Sequence, residues 1–521
     1  MEKNLLPIGV ANSRPNSDLN GYNTKDTLFS NVYFEVYNDA QTDTQRVFCV
    51  KRPGISSTVA GLYGSDGIGL GCFTAQPYDT TNIFYAKKGF GGLTYIQHFN
   101  GTDSVNRLVA GLSSKRINFT NIGLPDDTYT TACCIGTSLH LFKGRTAVTT
   151  ATPVGVGSDL TRPIYLNNRV FVGDRTTGQI YQSGLGSYTT YSGSEFISVE
   201  SYGGKLIDIG RYNNYIVAFK EYSTEFFEDV ANENGTVLGR VGQAIQQVGT
   251  THGASIVDTG SGELIWLAMD ESGNRSVVKL SNSFQVEAIE DNLVARTLNL
   301  VTSYDGSYAF LLNVNGHQFY VLTLKQTYTD STNTTDIANA TFAYDLKTKL
   351  WTHWYSTGEN STQTVGSYTY GPLGRWNVTG AVRNTFNTTY VQDYDNGNLY
   401  QLDDAFVSDQ GNSIRVLMRF GNLDLGTFKR KFLNKLTIYS DGFLSSTITG
   451  WTTTQSFSVT LARGDSTQTS SDRFTLAYPH SLYALGAYKI FTLSIVHQAS
   501  LPMRVSAINL DYDIGEGHGI S

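Results

Sequence analysis

The chain has 521 residues, and its 38 Lys and Arg against 45 Asp and Glu give a formal charge of −7. That balance excludes a protein that coats nucleic acid, because affinity for phosphate rests mainly on Lys and Arg. The length allows one large domain plus a smaller one. Only 16% of residues are charged, and polarity comes instead from Ser, Thr, Asn and Gln, with 52 Gly, 32 Tyr and 27 Phe. Many glycine-bearing turns between aromatic and β-branched segments predict an all-β chain.

Residues 1–55 alternate weakly and finish in VFCVKRPGI, where Pro53–Gly54 is a stop. The opening lacks an apolar signal core, so no secretory export is expected. No stretch approaches the ~20 apolar residues of a membrane span. The run GLYGSDGIGLG at 61–71 lacks the Lys–Ser/Thr of a phosphate loop and reads as a wide turn. From there, strand pairs recur: 83–98 around a Gly-rich turn, then 169–181, 216–229, 264–280, 308–324, 342–354 and 390–402. Asn315–Gly316 in the fifth pair is a strong short-range hairpin signal.

The turns near 176, 222, 272 and 316 recur every 44 to 50 residues, and those near 347 and 396 are 49 apart. A period in the forties with two to four strands per unit is the pattern of propeller blades, whose small sheets bury both faces only by stacking around an axis. The expectation is a β-propeller of about six blades, with seven as the alternative. An irregular sandwich array with accidental spacing is the competing account. From 411 the strands lengthen to sandwich-like spacing. The predicted organisation is therefore N-terminal strands at 1–58 packing with the C-terminal part, a propeller at 59–405, and a β-sandwich-like docking domain at 406–521.

No complete catalytic pattern is present. SYDGSYAF (303–310) and DESGNRSVV (270–278) lack the full Asp-box of sialidases, and an Asp turn can simply fix a hairpin. Neighbouring carboxylates on a strand point to opposite faces, whereas glycoside hydrolysis needs two across a cleft. The eight histidines are dispersed with no HxH or HExxH, and the four cysteines form no CxxC, so neither a metal nor a disulfide framework is indicated. No enzyme activity and no cofactor are expected, and the cysteines read as buried free thiols. The N-x-S/T sequences at Asn118, Asn274, Asn377 and Asn387 read as turn chemistry. One charge cluster stands out: Arg415, Arg419, Lys429, Arg430, Lys431 and Lys435. On adjacent strands it would form a basic stripe for an acidic partner or a DNA backbone; an ordinary solvated face is the plain alternative.

The order of features over 163–297 resembles the tail nozzle or hub proteins of short-tailed bacteriophages, also called packaged-DNA-stabilisation proteins. The resemblance rests on Ser223-Thr224-Glu225-Phe226-Phe227 closing a strand pair, a Gly-x-x-x-Gly-Ala segment at 249–254, LIWLAMDESGNRSVVKL, and VEAIEDNLVARTLN. An N-terminal LPIG and a later Arg52-Pro53-Gly54-Ile55 add to it. It covers about 1–60 and 163–300, and the C-terminal third in outline. It implies a structural protein of the virion tail, six copies forming a ring below the portal and its adaptor. The ring would extend the channel for double-stranded DNA, retain packaged DNA until ejection, and anchor tail fibres or tailspikes. A carbohydrate- or receptor-binding, glycosidase-like propeller is the alternative function. As a conduit, its inner wall should be neutral or acidic, placing the basic stripe elsewhere, against neighbouring subunits or an adaptor.

Overall fold

A computed structural model describes residues 2–515 except 9–26, 40–43, 61–66, 76–80, 124–129, 300–304, 330–333, 357–362, 441–455, 464–469, 476–479 and shorter stretches of one to three residues. Seven four-stranded antiparallel units follow one another among the described residues. They span 68–112, 119–151, 164–198, 206–240, 257–288 and 308–354, with the seventh at 378–403 completed by Gly54–Val59. They are the blades of a β-propeller. The count is seven, not six. The hairpin at 131–143 escaped sequence reading because only Gly136–Thr137 marks its turn. The turns near 316 and 347 both belong to blade six, whose central strands His317–Thr329 and Thr334–Asp345 are unusually long.

Turn chemistry fixes the blades locally. Asp174 at the end of its strand accepts hydrogen bonds from the Thr176 amide at 2.9 Å, the Thr177 hydroxyl at 2.9 Å and the Gly157 amide at 2.6 Å. Asp270 receives the Asn274 amide at 2.9 Å and its side-chain amide at 2.8 Å. Asn315 and Gly316 both take positive φ (52° and 73°), as a two-residue hairpin turn requires. Alternation then packs neighbouring blades. Phe227 joins Phe171 and Ile180 between blades three and four, while Phe226 joins Trp266 and Leu264 between blades four and five. Each such ring removes enough apolar surface from water to contribute about 2–3 kcal/mol.

Gly54–Val59 closes the ring by pairing antiparallel with Leu399–Asp403, Leu402 opposite Ile55. Residues 54–58, expected in the N-terminal part, therefore belong to the propeller. The remaining N-terminal strands build a sandwich with the C-terminal region. One sheet holds Val32–Asp39, Thr44–Lys51, Arg504–Ile514, Lys431–Ser440 and His480–Tyr488, with Glu2–Leu5 beside Arg504–Ile514. The facing sheet holds Leu28–Ser30, Val416–Leu423, Phe491–His497, Ser456–Arg463 and Ser470–Thr475. Phe34, Cys49, Met418, Leu436, Phe457, Ile495 and Ile508 fill the space between them. The second sheet does not end at the domain boundary. Leu28–Ser30 pairs antiparallel with Val416–Leu423 and parallel with blade six's outer strand, Ser30 opposite His353.

Candidate functional surfaces

The six predicted basic residues do not form one stripe. Arg415 immediately precedes and Arg419 lies in the strand Val416–Leu423, where Met418 and Phe420 point into the core and Arg419 is half-buried on the other side. Lys429, Arg430, Lys431 and Lys435 belong to the opposite sheet. Lys431 is the clear correction: it is 0% exposed. Its ammonium donates to the carbonyls of Thr427 (2.5 Å), Lys429 (3.1 Å) and Lys489 (2.5 Å), tying two loops together. The signal existed in the sequence, since Lys431 shares the inward side of its strand with Leu433 and leaves Phe432 outward.

What the outer face does present is cationic and aromatic together. Phe432 is 45% and Tyr483 68% exposed. Arg430 lies over the Phe432 ring at 6.0 Å and Lys435 over the Tyr483 ring at 5.4 Å. Lys429 is exposed beside them. On the same sheet Arg504 stacks on Phe48 at 3.9 Å and pairs with Glu35 at 3.3 Å. Neither exposed aromatic was singled out from sequence, because exposure depends on which strand edge the sheet leaves open.

The motif residues make contacts within blades and with the segments that join them. Glu225 is fully buried and receives the Ser201 amide (3.1 Å) and the Arg240 Nε (3.1 Å). Trp266 donates its indole N–H to the Gly249 carbonyl at 3.1 Å. Arg52 donates to the Asn31 side chain (2.9 Å), the Tyr355 carbonyl (3.0 Å) and the Asp409 carboxylate, and lies 5.1 Å from the Trp376 ring.

A second charged cluster, unnoticed in sequence, lies on the propeller axis. Arg162 precedes the inner strand of blade three. It reaches Asp208 of blade four (Nε–Oδ2 3.0 Å) and the carbonyls of Gly253 (2.5 Å) and Ile256 (3.1 Å) leading into blade five. Arg175 lies 3.6 Å from Asp208 and 2.9 Å from Asp159. Although burial opposes it, the charges of Arg162 and Arg175 hold the Asp208 carboxyl below its ordinary range. Arg116, before the inner strand of blade two, donates to the Thr379 carbonyl of blade seven and lies 5.6 Å over the Tyr308 ring of blade six.

Of the histidines, His252 accepts or donates at Thr251 Oγ1 (2.6 Å) and stands 3.7 Å from Asp305. Asp305 is 96% exposed, so this chain of three lacks the buried carboxylate that would orient a catalytic base. Among the described residues no group of three or more His, Cys, Asp or Glu converges as a metal site. The four cysteines are unbridged, and burial pushes the Cys72 thiol up to about 12. Asn274 and Asn377 bond to neighbouring turn aspartates, in keeping with turn chemistry.

These blades define the chain as a β-propeller with an attached sandwich. No protein-family model matches it, and no curated protein is similar to it. Similar solved structures include the WD40 β-propeller domain of Doa1, at 8% identity and TM-score 0.34 over 67% of this chain and 97% of that one. The WD40 domain of Neurospora crassa Pan2 gives 8% and 0.34 over 66% and 96%. PorZ, a surface component of the type-IX secretion system of Porphyromonas gingivalis, gives 10% and 0.35 over 82% and 46%. At these scores they assign no function. No helix of the described residues is long and apolar enough to cross a membrane.

Proposed function

We propose that the chain is a structural subunit of a phage tail, a nozzle that surrounds the path of double-stranded DNA and anchors fibres or spikes. The reading rests on the ordered motifs at 52–55 and 163–297. The observation that carries it furthest is the junction: one sheet continues from blade six through Leu28–Ser30 into the sandwich, an arrangement that suits a wall segment. Closed blades leave few free edges, which suits such a wall.

On this reading the outer face with Lys429, Arg430, Lys435, Phe432 and Tyr483 meets a neighbouring subunit or an acidic adaptor. Arginine and aromatic residues are the types that dominate interface energetics. The wall facing DNA is neutral or acidic, consistent with the net charge of −7. The protein performs no hydrolysis. The deciding experiment is the oligomeric state of the purified chain, by light scattering and negative-stain microscopy. A closed six-fold ring is expected, and a strict monomer that cleaves a surface polysaccharide would overturn the proposal.

A further inference from the structure

The three axial arginines are partnered unequally. Arg162 is saturated: its Nε, both terminal nitrogens and its backbone amide all have partners, and Asp208 balances its charge. Arg175 is balanced by Asp159. Arg116 is different. It crosses from blade two past blade one to blade seven, with one hydrogen bond to the Thr379 carbonyl and the Tyr308 ring against it. No carboxylate pairs with it among the described residues. Its side chain is half-buried rather than sealed.

Room has been left for it. Gly71 and Gly380 flank the guanidinium, and a Cβ at 380 would sit 3.5 Å from Nη2 and 2.9 Å from the Cys72 sulfur. Beyond Tyr308, the ring of Tyr394 stacks at 6.2 Å and Arg375 lies 4.0 Å over it, itself paired with Asp395 at 3.4 Å. Burial, and the like charge of Arg162, both press against protonation of Arg116. A half-buried guanidinium with free N–H donors and no carboxylate partner attracts oxygen anions, whose two oxygens match its fork.

We propose that Arg116 forms a binding site on the propeller axis for one small free oxyanion, a carboxylate or a phosphate. The proposal does not depend on the tail reading.

Isothermal titration of the full chain at low ionic strength, with inorganic phosphate in one arm and acetate in the other, tests it against a sodium chloride control. One saturable site per chain is expected in at least one arm, and the arm that binds identifies the chemistry. Arg116→Gln should weaken that binding by about tenfold or more, the loss typical of a charged hydrogen-bonding group. Arg116→Lys keeps the charge without the fork and should bind between the two; it serves as the readout if the Gln variant does not fold. Absence of binding in both arms up to 10-fold above ~1 mM, or equal binding by wild type and both variants, would overturn the site.

Discussion

Arg52 and Asp409 are joined twice inside the molecule, Nη1 to Oδ1 at 3.0 Å and Nη2 to Oδ2 at 2.5 Å, with the Arg52 side chain wholly buried. Arg52 follows a sandwich strand and precedes the closing strand of blade seven, and Asp409 pairs with Ile55 of that strand. The pair therefore pins the corner where both domains meet.

Removing one partner leaves the other charge buried and unpaired. Asp409→Ala is expected to cost about 3–5 kcal/mol in chemical denaturation. Arg52→Lys should not restore stability, since an ammonium cannot replace a two-pronged contact made together with the Asn31 and Tyr355 bonds. A change below about 1 kcal/mol in both variants would show that the corner is held by packing alone.

Charge reversal separates docking from folding on the sandwich face. Lys429→Glu, Arg430→Glu and Lys435→Glu together should leave the melting temperature nearly unchanged, because exposed charges contribute little to stability. Assembly should weaken, more so at low salt, measured by sedimentation at two ionic strengths. Lys431→Glu should do the opposite kind of damage, setting a carboxylate against three carbonyls and unfolding the chain whatever its oligomeric state.

Acid should destabilise the fold through its buried histidines. Burial lowers His353 from 6.5 to about 4, and likewise His140 to about 4 and His497 to about 3. The unfolded chain takes up these protons first, so their stabilising contribution is complete above pH ~6.5 and is lost as pH falls toward 4. For His353 alone the loss is on the order of 3 kcal/mol. His353→Gln, able to keep the Ser30 and Gly374 bonds, should flatten the slope of stability between pH 6.5 and 4. An unchanged slope would mean that other groups govern it.

Gly253 abuts Asp208 so closely that a Cβ would lie 2.6 Å from its Oδ2. Gly253→Ala should displace the carboxylate from Arg162 and lower stability by about 1–3 kcal/mol, read as a drop in melting temperature with no change in strand content by circular dichroism.

The architecture was legible where turn chemistry was strong. Asp174, Asp270 and Asn315–Gly316 mark their hairpins in plain sequence, and their regular spacing gives a propeller. The second blade was not, because Gly136–Thr137 is a slight mark, and blade six looked like two because its strands are long. The surface was only partly legible. A run of cations announces charge, but Lys431 and Arg430 are neighbours with opposite fates, decided by a two-residue periodicity and by what the facing strand brings. The axial cluster was invisible: Arg116, Arg162, Asp208 and Thr379 lie far apart in the chain, and ring closure brings them together.

That closure also sets a timetable. The strand Gly54–Val59 has its partner at 399–403, and Thr44–Lys51 and Glu2–Leu5 pair with Arg504–Ile514. These earlier segments must wait for much later ones. At a ribosomal pace of roughly 5–20 residues per second the interval is on the order of half a minute, during which several hydrophobic strands have open edges. A nascent chain of this design is most vulnerable to mispairing with a second nascent copy, and most in need of a chaperone, before residues 399–514 have emerged.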